Sequence, residues 1–279
     1  MKSNLLKLFF AGAIVSGIIS CQKESRPALG EYPEDVEVTP STPLRFFLSF
    51  DSTSEADKQI NIRFKDSISQ YPSFFPDNSI TYVPGVSGTA YMGNTDKNLQ
   101  YYNANDFGKS TSFSVAFWEK HDGPIGSEAQ FLFSMPSSAG HWSGGTMFLI
   151  FDNPGAGSTK DSVVMKFMVF DKTGENWFEL TGNSRMANVL DGAWHHIVFA
   201  YDETTSNMNV YRDGALYTTK TWAGHGPVHM DDTKISSFLL GGKCVSGWGA
   251  AWGGGVDQFR LYNKALTAAE VQQLFTSKQ

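Results

Sequence analysis

The 279-residue sequence carries a formal net charge of −6, with 22 basic and 28 acidic residues. Nucleic-acid binding needs concentrated lysine and arginine, so an acidic chain without a basic cluster is not expected to bind nucleic acid. Cysteine is scarce, with only Cys21 and Cys244, and a disulfide framework is excluded if Cys21 has the separate role described next.

The first 21 residues have the features of a secretory leader. Lys2 and Lys7 precede or flank the apolar run "LFFAGAIVSGII", which is shorter than the roughly 18–20 residues of a membrane-spanning helix. The segment "IISC", residues 18–21, resembles a lipobox, in which the leader is cut before a cysteine that is then lipidated. We expect a lipoprotein signal peptide over 1–20 and lipidation of Cys21; an ordinary secretory cut near Cys21 is the alternative. No later segment is apolar enough to span a membrane, so the lipid is the only membrane attachment expected.

Residues 21–43 are polar and contain prolines without apolar periodicity, which predicts a flexible tether. From residue 44 the texture changes, and aromatic and β-branched runs alternate with Gly, Asn, Asp and Ser clusters, as in strands joined by turns. The runs predicted as strands are "LRFFLSF", "SFSVAFW", "AQFLFSM", "TMFLIFD", "VVMKFMVFD", "WHHIVFAY", "MNVYRDG", "ALYTTKTW", "SSFLLGG" and "VDQFRLYN".

Helix spacing occurs at the end of the chain, in "LTAAEVQQLF" (266–275), with Thr267 as N-cap and Glu270 three residues later. Many short strands followed by one helix predict an all-β, antiparallel sandwich with a short C-terminal helix. We expect one domain over 44–279, because single sandwiches of about 200–250 residues are ordinary.

The adjacent histidines His195 and His196 suggest a metal or catalytic site at first sight. Alternate residues of a strand point to opposite faces, so the two side chains diverge and cannot bind one metal together. No zinc-ligand spacing lies nearby, and both faces of "WHHIVFAY" are largely apolar. The sequence therefore predicts that the pair is part of the wall of the sandwich. Downstream, Asp213-Gly214 predicts a hairpin.

The stretch "DGAWHHIVFAYDETTSNMNVYRDGALYTT" resembles the central signature of laminin-G-like, concanavalin A-like domains. "YVPGVSGTAYMG" (82–93) is similar to an earlier Gly-x-x-Gly-x-Ala segment of that family, and "GGGVDQFRLYNKALTAAEVQQLF" (253–275) to its closing strand and helix. With "SFSVAFWEK" (112–120), these segments follow the family order. The resemblance implies a jelly roll of two antiparallel sheets, one of them concave.

The resemblance to laminin-G-like lipoproteins of glycan-foraging Gram-negative bacteria implies a lipid-anchored module at the outer membrane, facing the periplasm or the surface. Its expected role is to bind polysaccharide without catalysis, near a transporter or a hydrolase. A protein-interaction or adhesion module is the alternative, because laminin-G-like domains also bind proteins. Fold alone does not decide between these functions.

A glycoside hydrolase is the third alternative, and it needs two carboxylates about 5–5.5 Å or about 6.5–9.5 Å apart. The Glu-x-Asp-x-x-Glu type of motif found in related glucanases is absent. Glu175 and Glu179 in "GENWFEL" share a strand face but lie roughly 13 Å apart at about 3.3 Å per residue. The sequence therefore favours a protein without enzymatic activity.

Tryptophans in or beside turns are the candidates for sugar binding, because aromatic faces stack on the apolar faces of sugars and loops on a rigid scaffold carry function. Trp248 and Trp252 in "GWGAAWGGG" are favoured, because the flanking glycines are expected to leave their faces uncovered. His225 in "GHGPVHM" either lines the same cleft or is exposed without function. Packing under a loop is the alternative for each aromatic residue. The candidates are Trp142, Trp177, Trp222, Trp248, Trp252 and His225.

A structural calcium ion is implied by the resemblance, since many relatives hold one between the start and the end of the domain. The matching positions are Asp51 in "LSFDST" and Asp257 in "GGVDQF". Calcium takes about six to eight oxygen ligands, many of which can be backbone carbonyls. The alternative is that Asp51 begins a turn and that Asp257 pairs with Arg260 or with a backbone amide.

Overall fold

A computed structural model describes residues 40–51, 64–74 and 80–278 of the chain. The predicted signal peptide, Cys21 and most of the predicted tether lie outside these residues. Within the described ranges, no helix has both the length and the apolar composition needed to cross a membrane.

The first of two large sheets contains eight strands. They are β1 (Leu44–Leu48), β2 (Thr81–Pro84), β3 (Thr89–Met92), β5 (Phe113–Lys120), β12 (His195–Asp202), β13 (Asn207–Arg212), β14 (Ala215–Thr221) and β17 (Gly255–Tyr262). Their order across the sheet is β14-β13-β12-β5-β17-β3-β2, and β1 also pairs with β17. β1 and β3 therefore pair with successive parts of β17, β3 at Gly255–Val256 and β1 from Phe259 onward.

The second sheet contains seven strands. They are β4 (Leu99–Tyr101), β6 (Gln130–Pro136), β7 (Gly145–Phe151), β9 (Met165–Asp171), β10 (Gly174–Leu180), β15 (Phe238–Leu240) and β16 (Ala250–Ala251). The order is β10-β9-β7-β6-β15-β4, and the short β16 lies parallel to β6. A separate pair is formed by β8 (Ser162–Val163) and β11 (Met186–Ala187).

The inner faces of the two sheets share one aromatic-rich core. Alternation along each strand decides which residues enter it: in β7, Met147, Leu149 and Phe151 face inward. Phe133 of β6 and Phe259 of β17 bring the two sheets together, with ring centroids 5.8 Å apart. The observed structure confirms the predicted all-β sandwich of two antiparallel sheets.

The C-terminal helix α1 (Ala268–Ser277) covers the outer face of the first sheet. The Thr267 side chain accepts a hydrogen bond from the Glu270 amide, and the Glu270 carboxylate accepts one from the Thr267 amide, which is the predicted capping box. Phe275 stacks on Trp118 of β5, with ring centroids 5.5 Å apart. The helix begins and ends two residues later than predicted.

The ten predicted runs each contain a strand. Seven of the described strands are not predicted by these runs, namely β2, β3, β4, β8, β10, β11 and β16. Six of them have only two to four residues, too few for an alternation to be recognised, and β10 is the strand assumed for "GENWFEL". Asp213 and Gly214 both have positive φ, at 50° and 80°, as the predicted hairpin turn between β13 and β14 requires.

The histidine pair diverges as predicted. His195 is the first residue of β12, and its side chain is on the core-facing side of the strand. Its Nε2 lies 3.1 Å from Oδ1 of Asp191, and its Nδ1 lies 3.0 Å from Oδ2 of Asp213. His196 faces outward beneath α1 and is 1% exposed, against the rings of Trp118 and Phe275. Burial lowers the pKa of His196 to about 4, with a further contribution from the positive charge of Arg260.

Replacement of His196 by phenylalanine should make the fold less sensitive to acid. The folded pKa of about 4 lies below the ordinary value of 6.5, so the unfolded chain binds the proton first and stability is lost as pH falls through this window. Between pH 7 and pH 5, we expect the native chain to lose about 2 kcal/mol more than His196→Phe. Denaturant unfolding at the two pH values measures this difference. Exposed His229, changed to Gln, is the control, and equal losses in His196→Phe and the native chain would contradict the assignment.

Candidate functional site

The outer face of the second sheet carries a second apolar cluster. Phe131 of β6, Phe148 and Ile150 of β7, and Met168 of β9 are fully buried there, although they point away from the main core. Because strand alternation sends these side chains outward, something outside the sheet must cover them. That cover consists of aromatic side chains together with Cys244 and Val245.

Trp248 provides part of the cover, from the segment that follows β15. Its ring contacts Phe131 edge-on, with centroids 5.2 Å apart. The neighbouring Gly249 has φ +68°, and a Cβ there would lie 2.6 Å from Cε2 of Phe131. Glycine at 249 therefore allows the segment to approach Phe131 closely and fixes Trp248 against the sheet.

Trp142 extends this cover into solvent. Its ring centroid lies 6.0 Å from that of Trp248, and 61% of the residue is exposed. The adjacent His141 packs on Phe170 of β9, with centroids 4.9 Å apart, and its Nδ1 lies 2.6 Å from Oγ of Ser143. The exposed Trp142 thus follows His141, whose ring is held by Phe170 and by Ser143.

Trp177 completes the group from β10. Its ring packs edge-on against Phe148, at 5.3 Å, and its Nε1 donates a hydrogen bond of 3.1 Å to Oε2 of Glu175. The same oxygen lies 2.6 Å from Nε2 of His141. These contacts, with that of His141 first, lower the pKa of Glu175. We call Trp142, Trp177 and Trp248 the tryptophan platform.

A shallow depression of about 550 Å³ borders the tryptophan platform. It is lined by Lys166, Glu175, Asn176, Trp177 and Glu179. Nζ of Lys166 lies 2.8 Å from Oδ2 of Asp152 and 3.9 Å from Oε1 of Glu179. The only lysine in the lining is therefore already paired with acids.

Trp252 does not belong to the platform. It is 0% exposed and packs in the main core against Phe151, at 4.6 Å, and His121, at 5.2 Å. A Cβ at Gly254 would lie 2.8 Å from Cζ2 of Trp252. The expectation that the glycines leave this indole uncovered is wrong, because they let the backbone close over it instead.

Trp222 and His225 pair with each other and pack on the inner core. Their rings are stacked, with centroids 3.4 Å apart and an interplanar angle of 4°. Trp222 contacts Phe178 on the inner side of β10, and Nε2 of His225 lies 3.1 Å from Oδ2 of the buried Asp171. One face of Trp222 is therefore occupied by His225, and this pair is separate from the cluster on the outer face of the second sheet.

Asp51 and Asp257 converge on the loop between β2 and β3. Oδ2 of Asp257 accepts hydrogen bonds from the amides of Val86 and Ser87, at 2.8 and 3.4 Å. Oδ1 of Asp51 accepts one from the amide of Thr89, at 2.9 Å. The loop approaches closely, because a Cβ at Gly88 would lie 2.0 Å from Oδ1 of Asp51. The two carboxylates thus hold one loop from two sides.

The position of Asp257 follows from an irregularity in β17. The register with β5 shifts between Asp257 and Arg260, and Gln258 has φ +50°. Arg260 donates to the backbone and side-chain oxygens of Gln258, at 3.0 and 2.7 Å. Asp257 thus bonds to backbone amides, which is one of the two partners predicted for it from the sequence.

The electrostatics of the two aspartates fit a bound cation. Burial raises the pKa of Asp257 to about 7, and the negative charge of Asp51 adds to this. Burial also raises the pKa of Asp51. Among the described residues, no group of three or more His, Cys, Asp or Glu side chains could hold a metal ion, so backbone carbonyls would have to supply most ligands.

Cys244 lies beneath the tryptophan platform. Its Sγ is close to Gly145, where a Cβ would lie 2.6 Å away, and burial raises the pKa of the thiol to about 11. Such a thiol is protonated at neutral pH and is a poor nucleophile. The structure therefore assigns Cys244 to packing.

Sequence reasoning did not single out His141, Lys166 or the role of Glu175. The spacing of Glu175 and Trp177 by two residues was the available signal, because it places both on one face of β10. His141 gave none, because its partner Glu175 lies 34 residues away.

Comparison with known proteins gives a family match and fold-level neighbours. The model of the Concanavalin A-like lectin/glucanases superfamily matches residues 93–272. No curated protein matches. One similar structure is Domain 4 of AbnA, a GH43 extracellular arabinanase from Geobacillus stearothermophilus, in complex with arabinotriose. It is 20% identical to this chain with a TM-score of 0.55, and the match covers 83% of this chain and 97% of that one.

Two toxin domains are also similar in structure. The binding domain of Paraclostridial Mosquitocidal Protein 1 is 18% identical with a TM-score of 0.55, over 84% of this chain and 52% of that one. A structure of botulinum neurotoxin type C, whose cell entry depends on two ganglioside molecules, is 13% identical with a TM-score of 0.56, over 85% and 51%. The chain thus spans about half the length of these toxin structures. At these identities the likeness shows the fold.

Proposed function

The chain belongs to the Concanavalin A-like lectin/glucanases superfamily, and we propose that it captures carbohydrate on the tryptophan platform without catalysis. The observation that carries this proposal is the convergence of three tryptophans on one outer face. Trp142 is 61% exposed, so burial contributes little to its position. It lies beside the indole of Trp248, and the adjacent His141 shares Glu175 with Trp177, an arrangement suited to ligand contact.

Sugars match this surface because they combine apolar C–H faces with hydroxyl groups. The indole faces of the platform would stack on the former. The carboxylate of Glu175, in the lining of the depression, would bond to the latter.

The neighbouring structures support this proposal at the level of ligand class. The arabinanase domain was determined with arabinotriose, and cell entry of the type C toxin depends on gangliosides. Both ligands contain carbohydrate. Arabinan and its oligosaccharides are therefore reasonable first probes.

The chemistry of Glu175 supports binding without catalysis. A glycosidase needs a carboxylic acid with a raised pKa as its general acid. The contacts with His141 and Trp177 lower the pKa of Glu175, so this group is ionised at neutral pH and acts only as an acceptor.

Removing either outer indole of the platform should weaken glycan binding. We expect Trp142→Ala and Trp177→Ala each to raise the Kd at least about tenfold, since each removes a stacking surface. The measurement is a glycan microarray followed by titration calorimetry on residues 40–279.

The matched control is Trp222→Ala, which removes a half-buried indole that does not belong to the platform. It should leave the Kd unchanged. Loss of binding in Trp222→Ala with unchanged binding in the two platform variants would overturn the assignment of the site, and the absence of any glycan binding would overturn the proposed function.

We further propose that Asp51 and Asp257 hold a structural calcium ion. The ion would compensate two carboxylates that share one loop and repel each other. It would supply positive charge that fixes the loop between β2 and β3 to the end of the domain, and no chemical step depends on it.

Calcium should therefore stabilise the domain. At pH 7.5 and about 100 times the Kd of the ion, we expect the Tm to exceed that in chelator by about 5–10 °C. Asp257→Asn should abolish this difference, whereas Asp161→Asn, which changes an exposed acid elsewhere, should retain it. A Tm that is the same with calcium and with chelator in the native chain would exclude the ion.

The lipobox-like "IISC" supports a proposal for location, namely a lipid anchor at Cys21 that holds the domain at the outer membrane near a transporter or a hydrolase. In a Gram-negative host fed labelled palmitate, the native chain should carry label and sediment with membranes. Cys21→Ala should lose both properties, and Cys244→Ala should keep them. Labelling that survives Cys21→Ala would contradict the anchor.

A further inference from the structure

The charges around the tryptophan platform determine which sugars can approach it. Glu175 and Glu179 lie on the same outward face of β10, on either side of Trp177. Both residues are exposed. A ligand stacked on Trp177 would therefore have a carboxylate on each side.

The nearby lysines already have partners within the protein. Lys166 is paired with Asp152 at 2.8 Å and lies 3.9 Å from Glu179. The Lys243 ammonium, on the segment that carries Trp248, donates to the carbonyl of Gly249 at 2.6 Å.

Farther along the β9–β10 hairpin, the positive charge of Lys172 acts on Asp231. Nε2 of His141 faces Glu175 itself. Lys166 and Lys243 are therefore bonded to protein acceptors, whereas Lys172 acts on Asp231 through its charge.

An anionic glycan would meet an unfavourable surface here. Recognition of carboxylate or sulfate groups normally uses arginine or lysine, with arginine offering paired donors. No arginine lines the described depression, and a carboxylate placed beside Trp177 would face Glu175 and Glu179. Neighbouring carboxylates repel each other, and the repulsion is strongest where the stacked ligand excludes water.

A neutral glycan would meet a favourable surface at the tryptophan platform. The carboxylate of Glu175 would accept hydrogen bonds from sugar hydroxyl groups, and hydrogen bonds to charged groups are stronger than those between neutral groups. Oε2 of Glu175 is fixed by His141 and Trp177, so its position is set before binding.

We infer that the tryptophan platform selects neutral glycans and rejects those that carry carboxylate or sulfate groups. This inference rests on the proposed function, because it concerns the ligand of the same surface. It assigns Glu175 and Glu179 as residues that determine specificity.

The test uses pairs of oligosaccharides that differ in one anionic group, such as a hexose-terminated chain and its hexuronate counterpart, or a chain with and without one sulfate. Kd values for the two members are measured on the full chain at low salt. We expect the neutral member to bind at least about tenfold more tightly, and higher ionic strength to reduce this ratio.

Charge variants separate specificity from binding itself. Glu179→Gln keeps the size of the side chain and should reduce the neutral-to-anionic ratio several-fold while the neutral Kd changes little. Asp161→Asn removes an equal charge elsewhere and should leave the ratio unchanged. A reduced ratio in both variants would indicate net charge as the cause and overturn the assignment.

The two proposals can fail separately. Equal or tighter binding of the anionic member, lost in Trp142→Ala and Trp177→Ala, would overturn neutral selectivity and leave glycan capture intact. Binding of neither member of any pair would overturn glycan capture and the selectivity with it.

Discussion

Successive side chains of the long strands point to opposite faces, and in this protein the inner set from both sheets packs into one aromatic core. Once that packing is fixed, each sheet has a single outer face with a predetermined set of residues. In the first sheet the outer residues are covered by α1, through Phe275 on Trp118. In the second sheet the equivalent positions, such as Phe131 and Phe148, are covered by indoles that remain partly in solvent. The difference between the two covers is what makes one face a candidate for binding.

Glycine has two opposite effects in the segment "GWGAAWGGG". Gly249 lets the chain approach Phe131, which places Trp248 on the outer face of the second sheet. Gly254 lets the chain close over Trp252, which places that indole in the core. In both cases a missing Cβ permits close approach. Which side of the sheet the indole occupies depends on the path of the chain around β16, and that path is a tertiary property.

Much of the fold could be predicted because its determinants are local. The capping box at Thr267, the turn at Asp213-Gly214 and the divergence of His195 and His196 each depend on spacings of one to three residues. The site was only partly predictable, because its contacts join distant parts of the chain. Three of the five candidate tryptophans meet on one face, yet nothing in the sequence distinguishes them from Trp222 and Trp252. Equally, the pairing of His141 with Glu175 depends on the arrangement of a loop over β10.

The same long-range contacts affect how strongly the surface can bind. Association costs free energy for every flexible side chain that must be ordered, roughly 0.5–1.5 kcal/mol each. Trp177 is on a strand and is tied to Glu175, and Trp248 is pinned on Phe131. Trp142 is the most exposed of the three, but it follows His141, whose ring nitrogens are bound to Ser143 and Glu175. Glu175 therefore has two roles. Its carboxylate would accept hydrogen bonds from a sugar, and its contacts hold Trp177 directly and Trp142 through His141. Because one carboxylate serves both purposes, its charge cannot be removed without also loosening the aromatic surface. The described partner of Glu179 is Lys166, at 3.9 Å, and not a tryptophan. This asymmetry makes Glu179 the position at which ligand charge preference can change while the stacking surface is preserved.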